Sequence, residues 1–246
     1  MVIIWNLLFP RRCPVCGRIV VPSGELICRA CIPCLMPVRQ PACRKCGKEV
    51  PGQHHEYCLD CIRHKRTFDS GAALFHYNDA ARHSLAAVKY KNRREYLDFY
   101  GTAMQYRFEK AIRYWKPDML IPVPIHPSRR RQRGYNQAEE LAIRLGKAWN
   151  IPVCTRLLFR ARKTTPQRDL NPTERLKNLQ EAFRVHPEFL SDARNPEVSG
   201  GKLPDCVVLI DDIYTTGSTI EACSRVLKAA GIKEIHYLSI CIGDGK

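Results

Sequence analysis

The chain has 246 residues, 45% of them hydrophobic, and a formal net charge of +16. That length suits one sizeable domain plus a small one, with enough apolar residues for a core. The charge excess favours polyanionic partners: nucleic acid, an anionic membrane surface or phosphorylated small molecules. No stretch approaches the roughly 20 consecutive apolar residues that a membrane helix needs, which excludes that class.

Residues 1–10 are apolar but short. They lack a basic leading region and a small-residue cleavage site, so they do not read as a signal peptide. A short helix or strand packed on the adjoining cysteine-rich segment is expected, with weak membrane-surface contact as an alternative.

Thirteen cysteines could suggest a secreted disulfide scaffold, but nine of them fall between residues 13 and 61. Eight of those form four Cys-x-x-Cys pairs: Cys13/Cys16, Cys28/Cys31, Cys43/Cys46 and Cys58/Cys61. Eleven residues separate the first pair from the second, and eleven the third from the fourth. Glycine follows Cys16 and Cys46, which suits a tight knuckle presenting both thiolates to one metal. The pattern is an internal repeat of two zinc ribbons, with one or two structural zinc ions. The simplest pairing is Cys13, Cys16, Cys28 and Cys31 on one ion, and Cys43, Cys46, Cys58 and Cys61 on the other. Crossed pairings remain open, and the metal-free alternatives are redox dithiols or disulfides. Cys34, His54 and His55 are spare and expected not to bind. Cys154, Cys206, Cys223 and Cys241 lie isolated in apolar surroundings and read as buried thiols. The expected location is cytoplasmic. Residues 1–66 are expected to form this module, and residues 67–246 a larger domain.

In the larger domain, residues 67–78 read as a strand. Residues 79–91 show apolar spacing of three and four at Ala81, Leu85 and Val88, a helix pattern. A second helix is expected over 95–115, stopped by Pro117. Residues 119–124 read as a buried strand ending in a rigid turn. A long basic loop comes next with Arg129, Arg130, Arg131 and Arg133, then Tyr135 and Asn136, and a helix over about 136–149. Strand, basic loop and helix together make an anion site by construction. Residues 151–160 read as one or two strands, and 191–205 as a surface loop.

The most informative stretch comes last. The run Cys206–Ile210 has no polar residue and reads as a strand buried on both faces of a parallel sheet. Asp211 and Asp212 follow it, at the end where open α/β sheets bind ligands. Adjacent carboxylates can accept hydrogen bonds from a ribose diol. The turn Thr215-Thr216-Gly217-Ser218-Thr219 offers backbone N–H groups and hydroxyls, and Gly217 permits a positive φ beside an anion. A helix starting near Ser218 aims its N-terminus at the same place.

This stretch resembles the phosphoribosyl-pyrophosphate (PRPP) motif of type I phosphoribosyltransferases. The resemblance implies an α/β fold with a parallel sheet flanked by helices, beside the small four-cysteine zinc-ribbon module. It implies that Asp211 and Asp212 hold the ribose hydroxyls, and that Thr215, Thr216, Gly217, Ser218 and Thr219 hold the 5′-phosphate. The basic loop would hold pyrophosphate, with magnesium accompanying PRPP. Arg133-Gly134-Tyr135-Asn136-Gln137, after Pro122-Val123-Pro124 and a basic run, closely resembles the signature of the ComF family. The order of ribbons, Lys89-Tyr90-Lys91, Arg162-Lys163-Thr164-Thr165-Pro166-Gln167 and the final motif matches that family across nearly the whole chain. The segment from Arg162 lies where phosphoribosyltransferases carry a loop that closes over substrate. The family resemblance implies a cytoplasmic role in DNA uptake, at the inner membrane face, with DNA-uptake proteins and single-stranded DNA as partners.

Two readings are open. In one the chain is a phosphoribosyltransferase, its acceptor and catalytic residues unassigned. In the other it binds nucleic acid through a non-catalytic phosphoribosyltransferase fold, with Tyr90 and Tyr135 stacking on bases. A structural adaptor would leave the acid pair and phosphate loop unexplained.

Overall fold

The computed structural model describes residues 10–161, 182–191 and 203–243. The expectations for residues 1–9, for the substrate-closing segment over 162–181 and for most of the surface loop (192–202) lie outside the described residues.

A four-stranded sheet in the order β1-β6-β5-β2 organises the larger part, and every pairing in it is parallel. Its strands are β1 (Ser70–His76), β2 (Met119–Pro122), β5 (Cys206–Tyr214) and β6 (Glu234–Ile242). A second, antiparallel pair joins β3 (Leu158–Arg160) to β4 (Phe183–Val185). The central strands are almost wholly buried, as the apolar run Cys206–Ile210 of β5 requires when both faces are covered.

Helices α2 (Asp79–Tyr90), α3 (Tyr96–Trp115) and α5 (Gln137–Trp149) pack on one face, around Leu120, Val208, Ile210 and Leu238. Helix α7 (Ser218–Ala229) and the β3–β4 pair pack on the other, around Ile121, Val207, Leu209 and Tyr237. Period-two alternation therefore divides β5 between two cores. The helix starts follow local chemistry: Asn78 caps α2 by accepting the Ala81 N–H, and Asn136 caps α5 by accepting the Ala138 N–H.

The cysteine module is built into these cores. Cys13, Val20, Ile27, Cys31 and Leu35 join the first core, and Val38, Cys43, Cys46 and Val50 join the second. The connection between the ribbons runs along the free edge of β1. There Val38 donates its N–H to Leu74 O at 3.1 Å, and His76 donates to Met36 O at 2.8 Å. Pro37 forms an antiparallel bridge with Phe75. This segment covers an edge that would otherwise expose unpaired backbone groups. The opposite edge, β2, is covered by a parallel bridge between Leu120 and Val153.

Several expectations change. The basic stretch is not a loop: it forms α4 (Pro127–Arg133), capped by His126 and ended by Gly134 at φ 83°. Strand β5 runs past the acid pair to Tyr214, so the acids sit inside the strand and not at its end. In the 151–160 stretch only Leu158–Arg160 forms a strand. Cys154 is partly exposed, whereas Cys206, Cys223 and Cys241 are buried as expected.

Candidate functional site

Strands β2 and β5 are adjacent and parallel, so the segments leaving their carboxyl ends emerge on the same side of the sheet. The acid pair and the Thr215–Thr219 turn come from β5; α4 comes from β2.

Asp211 and Asp212 are buried, at 9% and 5% exposure. Asp211 Oδ1 accepts the backbone N–H of Asp212 at 2.8 Å. Asp212 Oδ1 accepts from Gln137 Nε2 at 3.2 Å, and its Oδ2 is ion-paired with Lys89 Nζ from the last turn of α2. Burial penalises both charges, but the outcomes differ. Burial and the Asp212 charge push Asp211 well above the ordinary carboxylate range. Against the same burial, Lys89 and Gln137 hold Asp212 below it. Lys89 is raised, the attraction of Asp212 outweighing the cost of its own burial. The centre therefore pairs an Asp212 carboxylate favoured by Lys89 with an Asp211 carboxyl biased toward its protonated form.

Beyond Asp212 the alternation slips: Ile213 joins the first core and Tyr214 the second. This slip turns the Tyr214 ring beneath the turn at Gly217. Gly217 sits at φ 75°, and a Cβ there would lie 2.2 Å from Tyr214 Oη. Only glycine fits, on both conformational and steric grounds. Thr216 Oγ1 lies 2.8 Å from Ser218 Oγ, and Thr216 O accepts from Arg66 Nη2 at 3.0 Å. Thr215 and Thr216 are exposed, and Ser218 and Thr219 are partly so. Helix α7 begins at Ser218 with no side-chain cap from Gly217; the Ser218 N–H donates to Thr216 Oγ1 at 3.4 Å, and the next N–H groups point toward this turn.

Helix α4 carries exposed Arg129, Arg130 and Arg131 and a partly buried Arg133. Arg130 is bound to Glu139 at 2.6 Å and 3.2 Å, Arg133 is bonded to Gln137, and Arg133 also faces the Tyr90 ring at 5.6 Å. A cleft of about 360 Å³ is lined by Lys89, Tyr90, Lys91, Arg129 and Arg133, with Asn92 and Gln132. Lys89 thus links the acid pair to a basic cleft.

Two residues expected in the anion loop take other parts. Tyr135 is buried and donates its hydroxyl to Val88 O, with Arg94 over its ring at 4.0 Å. It therefore offers no face to a nucleic-acid base. Asn136 is buried as the α5 cap and donates to Val123 O at 2.9 Å. Two residues at the acid pair were not assigned from the sequence. Lys89 had a readable signal, since it lies four residues after Leu85, on the apolar stripe of α2. Gln137 had none at short range.

The eight paired cysteines form two clusters: Cys13, Cys16, Cys28 and Cys31, and Cys43, Cys46, Cys58 and Cys61. In each, the potential ligand atoms lie within 4.8 Å of one another. The knuckles match: Gly17 and Gly47 lie at φ 69° and 67°, and donate to Cys13 O and Cys43 O. Cys34, His54 and His55 belong to neither cluster. Four converging sulfurs fit tetrahedral zinc. Among the described residues no helix is long and apolar enough to cross a membrane.

Structure and site define an open parallel α/β protein with an acid pair, a hydroxyl-rich turn and two four-cysteine zinc ribbons. Residues 4–62 match the family described as a double zinc ribbon domain. The chain is 29% identical to competence protein F of Haemophilus influenzae over 235 residues, 93% of this chain and 95% of that one. It is 28% identical to competence protein ComFC of Bacillus subtilis, over 86% of this chain and 82% of that one. It is 26% identical to the DNA utilization protein YhgH of Salmonella typhimurium, over 96% and 98%. The chain is thus similar over nearly its whole length to proteins named competence protein F and ComFC. A purine phosphoribosyltransferase of Pyrococcus horikoshii matches 60% of this chain and 76% of its own at 17% identity. The TM-score of that match is 0.36.

Proposed function

We propose that the chain binds PRPP with magnesium at the carboxyl ends of β5 and β2, and serves in the uptake or use of DNA. The observation that carries this reading is the acid pair of β5 leading into the Gly217 turn and the start of α7. In this reading the turn Thr215–Thr219 takes the 5′-phosphate, and Asp211 and Asp212 take the ribose hydroxyls. Arg129 and Arg133 neutralise pyrophosphate in the basic cleft, exposed Arg131 adds charge from the same helix, and Arg130 is bound to Glu139. Magnesium would supply hard-cation charge to pyrophosphate oxygens. Lys89 is shared between both halves: a diol that engages Asp212 frees its ammonium for the pyrophosphate.

The cytoplasmic location rests on the clustered metal-binding thiols, and the link to DNA on the names of the relatives, competence and DNA utilization proteins. A second reading, single-stranded DNA binding, is favoured by Tyr90. Its ring is 76% exposed beside the basic cleft, an arrangement suited to base stacking with phosphate contacts.

Calorimetric titration of the zinc-loaded protein with PRPP and magnesium tests the first reading. Saturable binding that is lost in Asp211→Asn/Asp212→Asn, with circular dichroism unchanged, supports it. Equal binding by parent and variant would remove the acid pair from the site. Including a short single-stranded oligonucleotide reports whether the two ligands are coupled.

A further inference from the structure

At the opposite end of the sheet, Cys206 opens β5 and stands in register with Glu234, which opens β6. His236 follows two residues later. The ligand atoms of Cys206, Glu234 and His236 lie within 4.8 Å of one another. From these three we infer a third metal site, for a single zinc-like divalent cation, independent of the ribbons and of the acid pair.

The imidazole carries the inference. The His236 side chain is 7% exposed, and its Nε2 has no hydrogen-bond partner. Glu234 Oε2, at 3.7 Å, is too far for a hydrogen bond. The other nitrogen, Nδ1, lies 2.9 Å from Ser70 Oγ. With Nδ1–H assigned as donor to that hydroxyl, Nε2 presents a buried lone pair toward Cys206 and Glu234. Metal-bound histidines are held in this way, one nitrogen on the ion and the other fixed by a partner. The ring lies flat on Trp115, at 4.3 Å and 5°, so its direction is set before any ion arrives. A buried lone pair with no partner costs stability unless something fills it.

The donor set selects the ion. A thiolate, an imidazole and a carboxylate suit zinc and its neighbours, not magnesium or calcium. The Glu234 side chain is 61% exposed, so it can swing onto an ion and leave the fourth position to water. Cys206 Sγ now donates to Trp115 O at 3.4 Å; it would surrender that proton on binding. Nearby Asp69 and Asp118 are occupied. Asp69 accepts from Lys228 and the Ile235 N–H, and Asp118 from the N–H groups of Asp205 and Cys206. The ion would staple β5 to β6, beside the end of α3.

The test is metal stoichiometry on the full chain. Zinc and cobalt(II) are titrated into metal-free protein, and bound metal is counted by native mass spectrometry after a weak chelator. Two ribbon ions plus one predict three per chain, falling to two in Cys206→Ser and in Glu234→Gln. The third cobalt should also quench Trp115 fluorescence, and His236→Gln should abolish that quench. Glu234 is exposed, so its variant tests the site even if a buried substitution fails to fold. Two ions in the parent, or three in every variant, would overturn the assignment.

Discussion

Tyr237 donates its hydroxyl to the backbone carbonyl of Cys46, a ribbon cysteine, at 2.6 Å. Its ring stacks on Tyr214 at 4.7 Å and 6°, and Tyr214 lies directly under Gly217. A second path runs from Asp60, between Cys58 and Cys61, through Arg66 at 2.7 Å to Thr216 O at 3.0 Å. The second zinc ribbon thus buttresses the Thr215–Thr219 turn by two routes. Stripping its metal, or Cys46→Ser, should weaken phosphate or PRPP binding as well as unfold the ribbon. Tyr237→Phe leaves Cys46 O without its donor and should cost about 1–3 kcal/mol. Thermal unfolding beside phosphate titration checks both; a variant that loses ribbon zinc yet binds phosphate like the parent would break the link.

Gly217→Ala should destabilise the protein by about 1–3 kcal/mol, because the new methyl combines a positive φ with a clash on Tyr214. Tyr214→Phe in the same chain removes the 2.2 Å contact with the hydroxyl but leaves ring carbon Cζ at 2.7 Å. Rescue should therefore be partial. A double-mutant cycle on unfolding free energies measures it, and strict additivity would mean the two residues do not meet.

Lys89→Met leaves Asp212 buried without its cation, and should cost about 3–5 kcal/mol at neutral pH. The pH dependence has a definite sign. Asp212 is depressed when folded, so its contribution is present above the unfolded value near 3.9 and is lost as pH falls through the folded value. Lys89 is raised, so its contribution is full below about 10.4 and lost as pH rises through the folded value. Asp211 is raised and has the opposite effect to Asp212: it costs stability as pH climbs from its unfolded toward its folded value. Without Lys89 both acids favour the protonated form. The variant should recover more stability than the parent on acidification from neutral toward pH ~4, because both acids contribute there in the variant and only Asp211 does in the parent. Unfolding midpoints across that range decide it.

Tyr90 and Tyr135 should differ sharply in any contact with single-stranded DNA. Tyr90→Ala should weaken binding by about 1–3 kcal/mol, the loss of one stacked base. Tyr135→Phe should leave DNA affinity unchanged and lower the unfolding midpoint, since its hydroxyl serves Val88 O inside the core. Arg129→Ala/Arg131→Ala should flatten the salt dependence of binding. Fluorescence anisotropy at several salt concentrations tests all three variants, and binding indifferent to Tyr90 would remove the stacking surface.

By itself the sequence determined the elements whose cause is local or periodic. The apolar run of β5 demands burial on both faces, the spacing of Ala81, Leu85 and Val88 demands a helix, and the repeated Cys-x-x-Cys-Gly knuckles demand paired thiols. The order of acid pair, Gly217 turn and α7 was equally legible, because all of it lies within one short segment. Tertiary structure decided what depends on distant partners. Lys89 and Gln137 reach Asp212 across 123 and 75 positions respectively, and nothing near Asp212 in the chain announces them. Tyr135 and Asn136 carry a site-like signature, yet packing gives them to the core. The ribbons read as a separate module because cysteine spacing speaks only of metal. Their docking on both faces of the sheet rests on side-chain complementarity between surfaces far apart in sequence, which no local pattern encodes.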